Sequence, residues 1–248
     1  MRKNSVTAVT LSAAAGLVGL VLRRIEYNTA LHGGVGIADE RLPVTFALAA
    51  LSAAMVLLSV LYAYNMVKKS GKKGNLFGEA PGAIAVVFGD VLFAFGAGIY
   101  YMGNKENLTP TVLIFTIMAV ICAASFWITA RPSGDDGGMA KLMCVVPSLF
   151  FCFWLVLISK ENSMEPQLIK FVYRCLDVAA LTMFFYYISG YYYGREKPAP
   201  AIVSGMLSIY FSLLVLAELG TMWNVLMISG SLIIVCVGLA RLINSLEE

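Results

Sequence analysis

Four charged side chains interrupt long apolar stretches of this 248-residue sequence: Asp90, Arg174, Asp177 and Glu218. A charge inside a membrane needs a partner, a water-filled cavity or a function. Asp90 lies nine residues after Pro81, and at about 1.5 Å per residue this predicts a position near the middle of a membrane-spanning helix. A carboxylate at that depth suits the binding of a cation, a proton or a polar solute.

Arg174 and Asp177 are three residues apart, so they share one helix face and can form a pair. Asp177 is the deeper of the two and is expected near the level of Asp90, which would bring three charges into one cluster. Glu218, near the outer surface, can reach Arg174 or remain solvated at a turn. The cluster has two interpretations: a structural ion-pair network that fixes helix packing, or a binding site between the third and sixth spans.

Three tyrosines are candidates for the lining of a solute path. Tyr101 belongs to the same helix face as Asp90, a face whose other members are small. Tyr186 and Tyr187 belong to an aromatic run at the end of the sixth apolar stretch, and most of this run is typical of an interfacial aromatic belt. Asp90 is expected to point into the bundle.

The elements that position these residues follow from composition. Hydrophobic residues make up 59% of the chain and charged residues only 13%, against about 25% in soluble proteins. The apolar residues form blocks of the length that a hydrocarbon core of about 30 Å requires, and in lipid a helix satisfies its own backbone polar groups. The fold class is therefore predicted as all-α, a polytopic transmembrane helix bundle forming one integral membrane domain over residues 1–248.

Eight spans are predicted, although the last apolar stretch leaves an alternative. It is too long for one helix, and residues 219–224 offer a turn with an interfacial Trp223. A seven-helix variant with one long or broken final segment is the alternative. The predicted spans are 5–22, 44–66, 81–102, 111–130, 142–159, 168–194, 199–218 and 223–242.

Lysine and arginine predict the orientation. More of them fall on the cytoplasmic side if the N-terminus is inside, and the KKSGKK segment at 68–73 contributes most. The pair Arg23 and Arg24 on the outer side opposes this assignment. Both termini are predicted in the cytoplasm of a cell with a bacterial-type cytoplasmic membrane. The net charge of +3 comes from loops and favours contact with anionic lipid headgroups, not with nucleic acid.

Few residues could support catalysis. The five cysteines lie in apolar stretches without metal-ligand spacing, and the single histidine, His32, excludes most His-based sites, so no metal, cofactor or enzyme activity is predicted. Phe88-Gly89-Asp90 partly resembles the GxGD motif of intramembrane aspartyl proteases, with Asp177 as the second aspartate. Val87, however, stands where that motif has glycine.

Two function classes remain besides the aspartyl-protease interpretation. The first is a transporter-like or permease-like protein for a small solute or ion. The second is a non-catalytic scaffold or sensor subunit that acts through a membrane protein partner or a homo-oligomer. The pairs Ser12/Gly16 and Ala15/Gly19 on the first span favour the second class, because small residues four apart let membrane helices approach closely. The connection at 23–43 suits a flexible lid.

The segment RRIEYNTALHGGVGIADERLPVT, residues 23–45, resembles a pattern found in uncharacterised multi-pass membrane proteins of anaerobic Gram-positive bacteria. The resemblance implies a multi-pass membrane protein, and it carries neither a function nor site residues.

Overall fold

The structure is a computed structural model that describes residues 3–30, 43–70, 83–106, 108–130, 138–161, 168–218 and 221–247. Within them the chain is helical almost throughout. The α-helices are α1 Lys3–Ala30, α2 Pro43–Ser70, α3 Ala83–Gly103, α4 Pro110–Ala130, α5 Gly138–Met143, α6 Val146–Glu161, α7 Leu168–Tyr192, α8 Pro198–Val215 and α9 Met222–Glu247, and a 3-10 turn at Leu216–Glu218 extends α8.

Eight segments of these helices are long and apolar enough to cross a membrane, which confirms the predicted polytopic bundle. They are Asn4–Glu26, Pro43–Lys68, Ala83–Gly103, Pro110–Trp127, Lys141–Lys160, Phe171–Tyr192, Pro198–Glu218 and Met222–Glu247. The last apolar stretch forms two separate helices, so the seven-helix alternative is wrong. The predicted turn falls between them, and its residues 219 and 220 lie outside the described part of the chain.

The fifth span differs from the expected continuous helix because a proline interrupts it. Helix α5 ends at Met143 and α6 begins at Val146. Pro147 has no N–H to donate to the carbonyl of Met143, and its ring would clash with that carbonyl in a continuous helix. The span therefore consists of two helices with a two-residue break near the predicted inner face.

Helices α8 and α9 form the centre of the bundle. α8 packs against α1, α2, α7 and α9, while α9 packs most extensively against α3. Two-thirds of the α8 span is buried, compared with 17% of the α2 span. This burial leaves most of α2 for contact with lipid.

Aromatic rings fill the space between α3, α4, α6 and α9. Phe93 contacts Phe126 at 5.6 Å and Phe150 at 5.5 Å between ring centroids, in edge-to-face geometry. Phe115 contacts Trp154 at 5.8 Å in the same manner. Such pairs stabilise a core by about 0.5–1.5 kcal/mol each beyond the area that they bury. These rings hold the third, fourth and fifth spans against α9.

Glycines allow two helix pairs to approach closely. A Cβ atom at Gly89 of α3 would lie 2.8 Å from the carbonyl oxygen of Gly230 of α9. On α1, a Cβ atom at Gly16 or Gly19 would lie 2.8 Å from a leucine side chain of α8. The close approach predicted from the small residues of the first span is thus present, and its partner is a helix of the same chain.

Candidate functional site

The charged side chains of the predicted outer face form a network around Arg23. Arg23 lies near the end of α1 and is only 2% exposed. It donates to Glu26 of the same helix at 2.6 Å and to Glu218, at the end of the 3-10 turn, at 2.8 Å. A guanidinium presents several donors in a planar fork, so it can serve two carboxylates at once. The network joins α1 to α8.

Two further contacts bring α2 and α7 into this network. The hydroxyl of Thr45, near the start of α2, donates to Glu26 at 2.8 Å. The Tyr173 ring of α7 lies 4.8 Å from the Arg23 guanidinium, within the range of a cation–π contact. Neither Arg23 nor Glu26 was identified as a site residue from the sequence. Their spacing of three residues was the signal that could have found them.

Arg174 lies beside this network and contacts the start of α9. Its guanidinium donates to the side-chain oxygen of Asn224 at 2.7 Å and lies 5.9 Å from the Trp223 ring. The Asn224 amide in turn donates to the Thr221 hydroxyl at 2.9 Å. Arg174 therefore has a position fixed by α9, which the sequence did not reveal, because its expected partner was Asp177.

Asp177 lies one turn deeper on α7 and is fully buried. The Ser212 hydroxyl of α8 donates to its Oδ1 at 2.6 Å, while among the described residues its Oδ2 has no hydrogen-bond partner. Arg174 and Glu218 both interact with it electrostatically. The predicted pair of Arg174 and Asp177 thus stays a prediction, since the guanidinium of Arg174 donates to Asn224, and Ser212 is the residue that fixes the Asp177 carboxyl.

An opening between α7, the end of α8 and the start of α9 joins these groups. We call it the outer recess. Its volume is about 280 Å³ including its open mouth. Its lining combines one cation, one anion, one amide and four apolar side chains: Arg174, Glu218, Asn224, Val215, Leu216, Val225 and Ile228. Charged groups of opposite sign thus face one small space with apolar walls.

Asp90 has different neighbours from the other three predicted site residues. It is 8% exposed and packs near α4, where it interacts electrostatically with Cys122. Its Oδ1 has no hydrogen-bond partner among the described residues. Gly89, the preceding residue, contacts Gly230, Ile233 and Ile234. Because α3 and α9 run in opposite directions, Asp90 lies opposite about residue 231 of α9.

Asp177 lies at a similar depth. Phe184, seven residues further along α7, contacts Gly238 of α9, where a Cβ atom would lie 3.1 Å from its ring. Helices α7 and α9 cross in the same direction, so counting back seven residues on both places Asp177 opposite about residue 231. The predicted common level of the two aspartates agrees with these contacts.

The expected single cluster is nevertheless divided between two interfaces. α3 packs mainly against α9 and α4, whereas α7 packs mainly against α8 and α6. The depth of a residue in a span can be counted along the sequence, but the sequence does not show which helices are neighbours. For this reason the two aspartates, at one depth, were expected in one cluster. The aspartyl-protease interpretation required both carboxyls around one water, and the two interfaces place them in different surroundings.

The tyrosines predicted to line a path have other surroundings. Tyr101 is 42% exposed and Tyr186 is 59% exposed, and both lie on the exterior of the bundle. Tyr187 packs against the rim of the core and contacts the Tyr186 ring at 5.3 Å. None of the three borders the outer recess. The connection at 23–43 was predicted as a lid, but residues 23–30 belong to α1, which corrects its first part. Residues 31–42, with His32, lie outside the described residues.

Comparison with known proteins identifies no matching family model, no similar curated protein and no similar solved structure. A function for this protein must therefore be argued from the geometry of the outer recess and of the nearby Asp177 carboxyl.

Proposed function

We propose that this protein is a permease-like carrier, not an enzyme, that binds a small zwitterionic solute in the outer recess. The proposal rests on one observation: positively and negatively charged side chains line the same recess. Arg174 and Glu218 face one space, and Asp177 lies beneath them with one oxygen on Ser212 and the other without a partner among the described residues. We place the protein in a bacterial-type cytoplasmic membrane with this recess outside.

The chemistry of the recess assigns a role to each group. Arg174 presents guanidinium donors to the anionic end of the solute, and Asn224 adds an amide beside it. Glu218 and Asp177 attract the cationic end. The apolar side chains of α8 and α9 then cover a short apolar portion of the solute.

Charge balance favours a zwitterion over a simple ion. Among the described residues, three guanidinium groups, of Arg23, Arg24 and Arg174, lie near three carboxyls, of Glu26, Glu218 and Asp177. A solute without net charge leaves this balance unchanged, whereas an unpaired ion would add an uncompensated charge at a place of low polarity. The recess volume restricts the solute to a few heavy atoms.

The test is a thermal-unfolding assay of the purified protein in detergent with three probe solutes: glycine, methylammonium and acetate. A solute that binds only the folded protein stabilises it by about 2.7 kcal/mol at one hundred times its dissociation constant. Glycine is expected to raise the unfolding midpoint, and methylammonium or acetate alone is expected to raise it much less. Uptake of labelled glycine into liposomes then tests transport.

Two variants connect this result to the recess. Arg174→Gln should weaken glycine binding about 10- to 100-fold, because a hydrogen bond to a charged group contributes about 1.5–3 kcal/mol. Asp177→Asn removes a charge that lies beside the recess and does not line it, so it should weaken binding less. Glu106→Gln, an exposed carboxyl after α3, is the matched control and should bind as the original protein does. Loss of stability in Asp177→Asn without binding of any probe solute would show a structural network. A response to methylammonium alone would show a cation site.

The scaffold or sensor alternative loses its main sequence argument in this fold. The small residues of α1 that were expected to receive a partner pack against α8 of the same chain. A membrane partner or a homo-oligomer would have to use another surface.

A further inference from the structure

Asp90 lies at the edge of the buried face of α3. The buried residues of this helix, Val86, Gly89, Phe93, Gly96 and Ala97, occupy one side of Asp90 around the helix axis. On its other side the helix surface is exposed, at Ala94, Gly98 and Tyr101. The carboxyl is therefore covered by α4 and α9 on one side and borders the lipid-facing surface on the other.

The described residues at the level of the carboxyl carry no positive charge. On α9 they are Gly230, Ser231, Ile233 and Ile234, none of which titrates, and the Ser231 hydroxyl donates to the Met227 carbonyl of its own helix at 2.6 Å. On α4 the titratable neighbour is Cys122, which is fully buried and contributes no positive charge. Arg241 of α9 lies about ten residues further along, or about 15 Å away along the helix axis.

This arrangement disfavours a permanently ionised carboxyl. The Oδ1 atom is buried without a hydrogen-bond partner among the described residues. An ionised carboxylate in such surroundings costs far more free energy than a neutral one, and a bound proton removes that cost. A metal cation would need several oxygen ligands. The described residues contain no group of three or more His, Cys, Asp or Glu side chains that could hold one.

We propose that Asp90 is a reversible proton-binding site at the α3–α4 edge of the bundle, separate from the outer recess. The proton binds to the carboxylate and is released from it again, with no other bond formed or broken. Asp90 is more than nine-tenths buried, yet it borders a lipid-facing surface, so apolar reagents can approach it from the bilayer. The inference does not depend on the proposed solute carrier.

The test is labelling with dicyclohexylcarbodiimide, an apolar reagent that adds to protonated carboxylic acids. The complete protein in lipid vesicles is reacted at a series of pH values, and the Asp90 peptide is analysed by mass spectrometry. Labelling is expected at low pH and should fall as pH rises, because the reactive protonated fraction falls. The exposed Glu106, after α3, is the internal comparison and should be labelled far less than Asp90.

Two outcomes would overturn the proposal in the original protein, without any variant that could fail to fold. One is an Asp90 peptide that stays unmodified at every pH while the protein remains folded. The other is labelling that does not change with pH, which would mean that the proton is never released. Asp90→Glu should keep pH-dependent labelling and Asp90→Asn should lose it. Glycine binding unchanged in Asp90→Asn would show that the two sites are independent.

Discussion

Arg23 is charged, yet it is among the most enclosed large side chains of the described chain. Its two carboxylate partners, Glu26 and Glu218, account for this burial, since a buried guanidinium needs compensation at close range. These ion pairs also affect how strongly Arg23 and Arg24 count against the predicted orientation of the chain in the membrane. A neutralised Arg23 weighs less against the predicted outer location than a solvated arginine would.

Removing the Arg23 side chain should leave two buried carboxylates without their cation. We expect Arg23→Ala to lower the free energy of unfolding by about 3–5 kcal/mol, measured by denaturant or thermal unfolding in detergent. The matched control is Arg24→Ala, whose guanidinium makes a 3.4 Å contact with the Ala217 carbonyl and is only partly buried. That variant should lose about 1 kcal/mol or less. Equal losses would contradict the central role of Arg23.

The sequence singled out the carboxyls but did not reveal their partners. Asp177 and Glu218 could be singled out because charges are rare in apolar stretches. Ser212 and Asn224 could not, since serine and asparagine in such stretches commonly bond to their own helix or terminate it. Arg174 and Asn224 are fifty residues apart, and their contact depends on α7 and α9 being neighbours near the predicted outer face. Residue spacing alone carries no such information.

At the scale of helices, glycines fix the closest contact of the bundle. A Cβ atom at Gly230 would lie 2.8 Å from the backbone nitrogen of Phe93 and would also meet the Gly89 carbonyl. The obstacle in both cases is backbone, which cannot rotate away as a flexible side chain can. The contact between α3 and α9 therefore depends on the absence of side chains at these positions.

Gly230→Ala should separate α3 from α9 and destabilise the protein by about 1–3 kcal/mol, as overpacking of a tight interface does. Gly98 provides the matched control on α3, because a Cβ atom there meets nothing within 4 Å. Gly98→Ala should be neutral or stabilising by up to about 1 kcal/mol, since alanine favours a helix over glycine. Unfolding midpoints of the two variants, compared side by side, test this contrast. Destabilisation by both would show that the glycines act through flexibility instead.

Helix boundaries were predictable where apolar blocks were separate, and less so where packing decided them. The break between α5 and α6 follows from Pro147, a local rule that could have been applied to the sequence. The central position of α8 and α9 could not have been derived from hydropathy. Lipid and protein interior are both apolar, so a lipid-facing helix and a buried helix have similar compositions.

At the scale of the whole molecule, the fold fixes the relative direction of the helices, and the lysine and arginine bias predicts which face is cytoplasmic. Glu106, after α3, and Arg195, before α8, lie in connections at opposite faces of the bundle. Both side chains are exposed, and the native cysteines all lie within the spans. This distribution allows cysteine labelling to report orientation.

A membrane-impermeant maleimide should label Glu106→Cys in intact cells and Arg195→Cys only after the membrane has been opened. The original protein measures background labelling of the native cysteines. The reverse pattern would place the outer recess in the cytoplasm and would invert the predicted orientation. It would leave the helix bundle itself unchanged.

The contacts of α1 with residues far along the chain also constrain the order in which the helices pack during synthesis. Near one end, Arg23 of α1 contacts Glu218, which follows it by 195 residues, and near the other end Asn4 contacts Glu247 of α9. When α1 leaves the ribosome, Glu26 is the partner that Arg23 already has, and Glu218 has not yet been made. Helix α1 can therefore pack against α2 early, but it gains its contacts with α8 and α9 only after the helices between them have been translated.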